Sequence, residues 1–282
     1  MYEGIKYHAV REFRENQDED DFCVEEIRQI GYTVIPSGYS DEELQLIREK
    51  LDAVYATQTK ELGGEDKLKA INDANVARCT IEYDHYFIKL AAHPRLLSIG
   101  RKLMAAPFIL MSQNGIINRP DDEHYQVTWH RDLNYQHFVS SRPLAMSALY
   151  CIDPFSDVTG ATAVIPASHT SEAFPSPEYI RKHETTVNAP AGSIIVFDAM
   201  LYHRSGHNRS GKLRRGVNHI YTLPLIKQQI DFPRVLKGEY KDDPELGPLL
   251  GYGTESGEGV LAWRQNKLAL AEQRRKSASS TN

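Results

Sequence analysis

Two imidazoles, a carboxylate and a guanidinium stand in an order that metal chemistry can use: His130 and Asp132 within Trp129-His130-Arg131-Asp132, then His203, then Arg214. Successive side chains on a strand point to opposite faces, so His130 and Asp132, two apart, share a face and can touch one ion. An imidazole from a distant strand would complete a set of two histidines and one carboxylate. Such a set takes one face of an octahedral iron(II) ion and leaves the other positions open for a chelating cosubstrate and O2. His203 is the best-placed third ligand. It follows the apolar run Ser193-Ile194-Ile195-Val196-Phe197, which reads as a buried strand entering a turn at Asp198-Ala199-Met200. His207 and His219 offer the same ring nearby and stay open as alternatives. An isolated H-x-D pair is a weak pattern, so its surroundings must carry the reading.

Arg214 lies eleven positions after His203 and heads a strand-like segment, Val217-Asn218-His219-Ile220-Tyr221-Thr222. A guanidinium buried there needs a carboxylate. A cosubstrate with two acid groups would bring one, chelating the metal through its keto-acid end and meeting the arginine fork with the other. On composition alone Arg214 is a solvated charge in a basic cluster with Lys212 and Arg215; order and spacing favour the anchor. His130-Arg131-Asp132-Leu133 also spells the start of a kinase catalytic loop, but His137 stands where its asparagine belongs, and no glycine-rich loop or Asp-Phe-Gly accompanies it. Asn208-Arg209-Ser210 spells a glycosylation acceptor without any secretory signal to give it meaning.

Five ordered blocks then resemble one family. They are Trp129-His130-Arg131-Asp132; Asp153 to Gly160-Ala161-Thr162; Ile165-Pro166-Ala167-Ser168-His169; Gly192-Ser193-Ile194-Ile195-Val196-Phe197; and His203-Arg204-Ser205-Gly206 with Asn208 and Arg214. Over roughly residues 25 to 225 the chain resembles the phytanoyl-CoA dioxygenase (PhyH) family of Fe(II)/2-oxoglutarate oxygenases, which includes the ectoine hydroxylases and many natural-product oxygenases. The resemblance implies His130, Asp132 and His203 as iron ligands, Arg214 as the anchor of the distal 2-oxoglutarate carboxylate, and Ser205 as its helper. It implies a strand lining the cosubstrate side at Asn118-Arg119-Pro120, with Asn118 at the cosubstrate and arginine where the family has lysine. Ala167 replaces the glycine usual in the family's Pro-Gly-Ser/Thr-His turn. The implied reaction consumes 2-oxoglutarate and O2, releases succinate and CO2, and hydroxylates an aliphatic C–H bond. Asp132 argues against the halogenating variant, in which a small residue frees a position for chloride.

These residues need a rigid frame, and the chain has material for one. At 282 residues and 41% hydrophobic it can bury one sizeable core. A capping box at Ser40-Asp41-Glu42-Glu43 opens a helix with Leu44, Ile47, Leu51 and Val54 on one stripe, after a short strand Tyr32-Thr33-Val34-Ile35-Pro36. A second helical region runs from about Tyr86 to Met104. From Phe108 the pattern changes to short strands: Phe108-Ile109-Leu110-Met111, then 145–152, 161–165, 193–197 and 217–223. The expected fold is mainly β with flanking α-helices. A double-stranded β-helix, or cupin-like jelly roll, follows from the resemblance. The expected organisation is a single domain over 1–282, with the jelly-roll core at about 105–225, a helical buttress at about 25–104, and an extension at 226–282 whose end after Ala271 is polar and frayed.

The net charge of −5 argues against general nucleic-acid binding. Cys23, Cys79 and Cys151 lack metal spacing and suit a reducing cytoplasm, and no apolar run approaches the ~20 residues that cross a bilayer. The expected partner is a small metabolite. Tyr135 and His137, beside the metal motif, and Gln113, past the Phe108 strand, are the substrate candidates. Trp129 reads as packing under the metal site, the stretch His124-Tyr125-Gln126 as a lid, and His169 as shaping the turn after Pro166. No basic track for CoA phosphates appears near the motif. Two other classes stay open: a catalytically silent jelly-roll binding protein, and a cupin-like metal isomerase or hydrolase, which would have no use for Arg214.

Overall fold

A computed structural model describes residues 8–10, 15–120, 125–133 and 135–279. The first half builds the helical layer: α1 (Glu19–Ile30), β1 (Tyr32–Pro36), α2 (Asp41–Leu62), α3 (Glu65–Ala70), β2 (Val76–Arg78), α4 (Thr80–Tyr83), α5 (Tyr86–Ala91) and α6 (Pro94–Met104). The barrel strands follow: β3 (Ile109–Asn118), β4 (Ala145–Cys151), β5 (Thr162–Val164), then α7 (Pro177–His183), β6 (Thr185–Val187), β7 (Ser193–Asp198), β8 (His203–Arg204) and β9 (Arg214–Thr222). The chain continues through α8 (Phe232–Val235), α9 (Leu246–Leu249) and α10 (Val260–Ser279).

Strands β1-β7-β4-β9-β3-β2 form one sheet and β6-β5-β8 a second, every pairing antiparallel. Residues from both sheets meet in one apolar cluster, with Leu149, Ile195 and Phe197 from the large sheet and Val164 and Val187 from the small one. This is the antiparallel jelly-roll core with flanking helices. The large sheet's other face packs on the helices: Ile194, Val196, Val217 and Tyr221 share a core with Ile27, Ile47, Leu51, Leu90 and Leu97. Period-2 alternation on β9 therefore separates two worlds, with 214, 216, 218 and 220 facing the barrel and 215, 217, 219 and 221 facing the helices.

The capping box forms as expected: Ser40 Oγ accepts the Glu43 N–H and the Glu43 carboxylate accepts the Ser40 N–H. The helical region expected from about Tyr86 to Met104 is made of two helices, because Pro94 lacks an N–H and takes the first position of α6 after a break at Ala92-His93. The strand expected at Phe108 extends to Asn118. The C-terminal end is helical to Ser279, built of good helix formers, and Leu261, Leu268 and Leu270 on it are exposed. Phe232, Leu236, Leu249 and Leu250 of the preceding segment belong to the helix-facing core. No helix among the described residues is long and apolar enough to cross a membrane.

One contact sets the spacing of helix on sheet. A Cβ added to Gly115 on β3 would lie 2.0 Å from Leu51 Cδ1 on α2, so glycine is what lets the helix seat. Gly115→Ala is expected to cost about 1–3 kcal/mol by overpacking, and Leu51→Ala about 2–5 kcal/mol by cavity formation. In the double variant the two losses should fall short of their sum, because the new methyl enters the new cavity. Urea unfolding of the four chains measures this; strict additivity would show that the helix does not bear on Gly115.

Candidate metal centre

His130, Asp132 and His203 come together, with one ligand atom from each within 4.8 Å of the others. The expected strand around His130 is reduced to a single bridge, in which His130 and His203 exchange both backbone hydrogen bonds at 3.0 Å. Asp132 follows in a bend, and its N–H donates to Ala199 O. The site thus lies where the small sheet, through β8, faces the large one.

Both imidazoles are fixed in one tautomer. His130 Nδ1 lies 2.8 Å from Thr128 O and His203 Nδ1 lies 3.0 Å from Leu201 O. A carbonyl can only accept, so each Nδ1 carries its proton as the donor and each Nε2 is left to bind a metal. The rings sit 4.3 Å apart, and His203 Nε2 is 3.5 Å from Asp132 Oδ1. The other carboxylate oxygen, Asp132 Oδ2, accepts from Ser147 Oγ at 2.5 Å and Asn218 Nδ2 at 3.4 Å. Ser147 and Asn218 are barrel-facing residues of β4 and β9 that sequence reading missed; strand parity with Arg214 was the available signal for Asn218.

The electrostatics suit a cation. Burial alone would raise the Asp132 carboxyl, but His203, His130 and the Ser147 hydroxyl together pull it down to about 2. Burial and the neighbouring His203 push His130 down to about 4, so its ring stays neutral. Burial would also lower His203, but the Asp132 carboxylate outweighs it and holds that imidazole above its ordinary value. A buried carboxylate facing two Nε2 atoms fits iron(II): the set is two nitrogens and one oxygen with no thiolate.

Arg214 lies inside the barrel, 2% exposed. Its Nη2 donates to Ser205 Oγ at 2.7 Å and to Gly160 O at 2.9 Å, and its plane stacks over Phe155 at 4.2 Å. It has no ion pair among the described residues, its Nε is buried without a partner, and burial pushes its pKa down to about 10. The adjacent Arg215 points to the helices and meets two carboxylates, Asp52 at 2.8 Å and Asp153 at 3.1 Å. The basic cluster of the sequence is thus split by strand parity into one paired and one unpaired guanidinium. Asn118, opposite Arg214 in the β3–β9 register, donates to Ser205 Oγ at 3.1 Å and Gly206 O at 3.0 Å. Ser205 is two residues beyond His203, which along an extended chain is roughly 7 Å.

Other expectations fare differently. Gln113 is fully buried on the helix-facing side of β3, its amide spent on Thr80 Oγ1, Phe87 O and His219 Nε2, so it does not reach the barrel interior. His219 shares that face, where burial pushes it down to about 3, and is no alternative to His203. His207 is exposed. Tyr135 and His137 lie in an exposed loop past Asp132, Tyr135 stacking on Phe138 with centroids 6.0 Å apart. Trp129 packs under Arg204, at 5.0 Å, instead of under the metal site. Arg119 turns to Asn75 Oδ1 at 2.5 Å. Of the expected lid, His124 lies outside the described residues, as does the Tyr125 side chain; Gln126 O accepts the Ser205 N–H at 2.7 Å. His169 does close the turn after Pro166, its Nε2 3.2 Å from Arg28 O.

Comparison with known proteins gives the family. An uncharacterised protein of Mycobacterium tuberculosis, Rv1501, is 32% identical over 229 residues, covering 79% of this chain and 82% of its own. Dioxygenase af480 of Aspergillus fumigatus is 26% identical over 79% of this chain and 74% of its own. The crystal structure of EctD from S. alaskensis with 2-oxoglutarate and 5-hydroxyectoine superposes with a TM-score of 0.60 at 19% identity, over 75% of this chain and 79% of that one. The sequence profile of phytanoyl-CoA dioxygenase (PhyH) matches residues 27–216. The chain therefore belongs to the phytanoyl-CoA dioxygenase family of oxidoreductases.

Proposed function

We propose that the protein is an Fe(II)- and 2-oxoglutarate-dependent dioxygenase that hydroxylates an aliphatic C–H bond of a small metabolite such as a sugar, an amino acid or a natural-product intermediate. The observation that carries this is the buried, unpaired Arg214 beside a two-histidine, one-carboxylate cluster. Iron(II) with 2-oxoglutarate and O2 supplies the oxidising power, succinate and CO2 being the coproducts. The chain's own residues do the rest. His130, His203 and Asp132 present Nε2, Nε2 and Oδ1 to the metal, while Ser147 and Asn218 hold the carboxylate. Arg214, with Ser205 and Asn118, takes the far carboxylate of the cosubstrate about two strand residues from His203, a span that a five-carbon diacid bridges. Apolar barrel residues such as Phe197, whose ring packs 4.8 Å from that of His203, keep water from the metal. An isomerase or hydrolase leaves Arg214 without a task. The whole chain acts as one domain, a reading supported by the packing of the segment after β9 into the common core.

Anaerobic titration with Fe(II) and 2-oxoglutarate tests this by the visible charge-transfer band of a chelated keto acid. The band is expected in the wild type and absent in His203→Ala. Arg214→Ala should weaken 2-oxoglutarate about 10- to 100-fold, the worth of a hydrogen-bonded charge pair, with metal affinity unchanged. No band from well-folded wild type would sink the assignment.

Metal binding must also displace a proton. His203 is held above its ordinary 6.5 by Asp132 in the metal-free site, so its Nε2 is protonated below that raised value and free above it. Affinity for Co(II), an iron surrogate, is therefore expected to weaken by about tenfold per pH unit as pH falls below the His203 pKa. Co(II) titrations across pH measure the slope; a flat profile would place the proton elsewhere.

A further inference from the structure

A cleft of about 730 Å³ opens beside the metal turn, between the C-terminal ends of α1 and α6 and the loop that leads into β4. None of His130, Asp132, His203 or Arg214 lines it. Its size is that of a site for a drug-sized molecule. Leu103, Phe138 and Met200 give it an apolar wall. Asp198 is its one acidic group among the described residues, and it is 5% exposed.

The Asp198 carboxylate is unusual in having so little company. Its Oδ1 accepts the Met200 N–H at 2.8 Å, and no other hydrogen bond or ion pair reaches it among the described residues. Burial raises its pKa, opposed by the Met200 N–H and by the charges of His169 and Arg131. Asp198 thus brings to the cleft a carboxylate oxygen with no protein donor among the described residues, open to a donor from outside. Arg28 and Arg142 are exposed residues of the same lining, and the Arg142 guanidinium has no partner among the described residues.

We propose that this cleft binds an amine-bearing small molecule, its ammonium on Asp198 and its apolar body against Leu103, Phe138 and Met200. The cleft communicates with the metal turn: Phe138 and Met200 also pack with Leu133 and Ala199, and Ala199 O accepts the Asp132 N–H at 3.0 Å. The same chemistry serves a substrate whose far end reaches the metal past Met200, or a ligand that stays in the cleft. Binding itself does not rest on the oxygenase reading.

The test uses the full chain and three probes of one shape: tryptamine, uncharged N-acetyltryptamine and anionic 3-indolepropionate, followed by calorimetry and ligand-observed NMR. Tryptamine is expected to bind about tenfold or more tighter than either relative, the margin a hydrogen bond to a charged group provides. Asp198→Asn, which keeps the acceptor for Met200 N–H, should abolish that margin while leaving the melting temperature and Co(II) affinity unchanged. Equal binding of the three probes, no binding of tryptamine in the millimolar range, or a margin that survives in Asp198→Asn overturns the proposal. With Fe(II), 2-oxoglutarate and O2 added, an oxygenated tryptamine identifies the occupant as substrate, and unchanged tryptamine identifies it as a retained ligand. Failure of the oxygenase reading appears separately, as absence of the charge-transfer band while tryptamine still binds.

Discussion

A guanidinium held inside a barrel without a carboxylate is the constraint from which most of this site follows. Removing such a charge from water costs several kcal/mol even after relaxation, and Ser205 Oγ, Gly160 O and the Phe155 face only partly offset that cost. The surrounding backbone is shaped to hold it. Gly160 adopts φ +77, and a Cβ there would lie 2.5 Å from Gly206 O and 2.9 Å from Asn118 Nδ2, so only glycine can bring that carbonyl to the arginine. Asn208 ties the same corner by donating to Asn118 O at 2.8 Å and Lys212 O at 2.7 Å. A fold that spends a glycine and two asparagines on an uncompensated cation is complete only when an anion arrives.

The second electrostatic arrangement faces the first across the barrel. Asp132 carries a negative charge that the Ser147 hydroxyl, the Asn218 amide and the neighbouring His203 imidazole stabilise in the absence of metal, and the backbone carbonyls of Thr128 and Leu201 fix which nitrogen of each histidine is offered. The site is thus shaped before any ion binds. What remains is a cation-demanding end and an anion-demanding end inside the barrel, joined by the short run from His203 on β8 to Ser205 just past it. A molecule that chelates a metal and carries a distant carboxylate satisfies both at once, and neither end alone specifies it.

Much of this was legible in the residues because it depends on spacing. The i, i+2 relation of His130 and Asp132, the apolar run before His203 and the strand after it placed the cluster, although the His130 strand is only one bridge long. The capping box at Ser40 predicted its helix because both halves of the motif are local. Gln113 was misread for the opposite reason: its role depends on which face of β3 it occupies, and a β-bulge between Leu110 and Ser112 changes the register there. Tyr135 and His137 fall in a loop whose course no periodicity encodes. Ser147 was invisible because a serine in a strand looks like a surface residue until the opposite sheet is known, and Asn218 was legible only through its strand parity with Arg214. Ala167, where the resembling family has glycine, sits at φ +61. The departure left the turn intact and moved its cost into backbone strain.

Arg131, between the two ligands of the metal loop, shows how the same alternation serves stability and chemistry together. Its neighbours point at the metal, so it points away and is buried at 2% exposure. There its guanidinium donates to Gln136 O at 2.5 Å, Ser168 O at 2.9 Å, Glu172 O at 3.4 Å and Ser171 O, and stacks 3.9 Å over the ring of Tyr202. Tyr202 precedes His203, and its N–H donates to Ser168 Oγ at 2.9 Å. One side chain therefore ties the loop carrying His130 and Asp132 to the residue beside the third ligand, from behind and without touching the metal. A lysine, with one compact donor group and no planar face, cannot reproduce that set of carbonyls and the stacked ring together. The geometry of the three ligands is held by a cross-link on the far face of the backbone, which explains why so short a strand is sufficient to carry them.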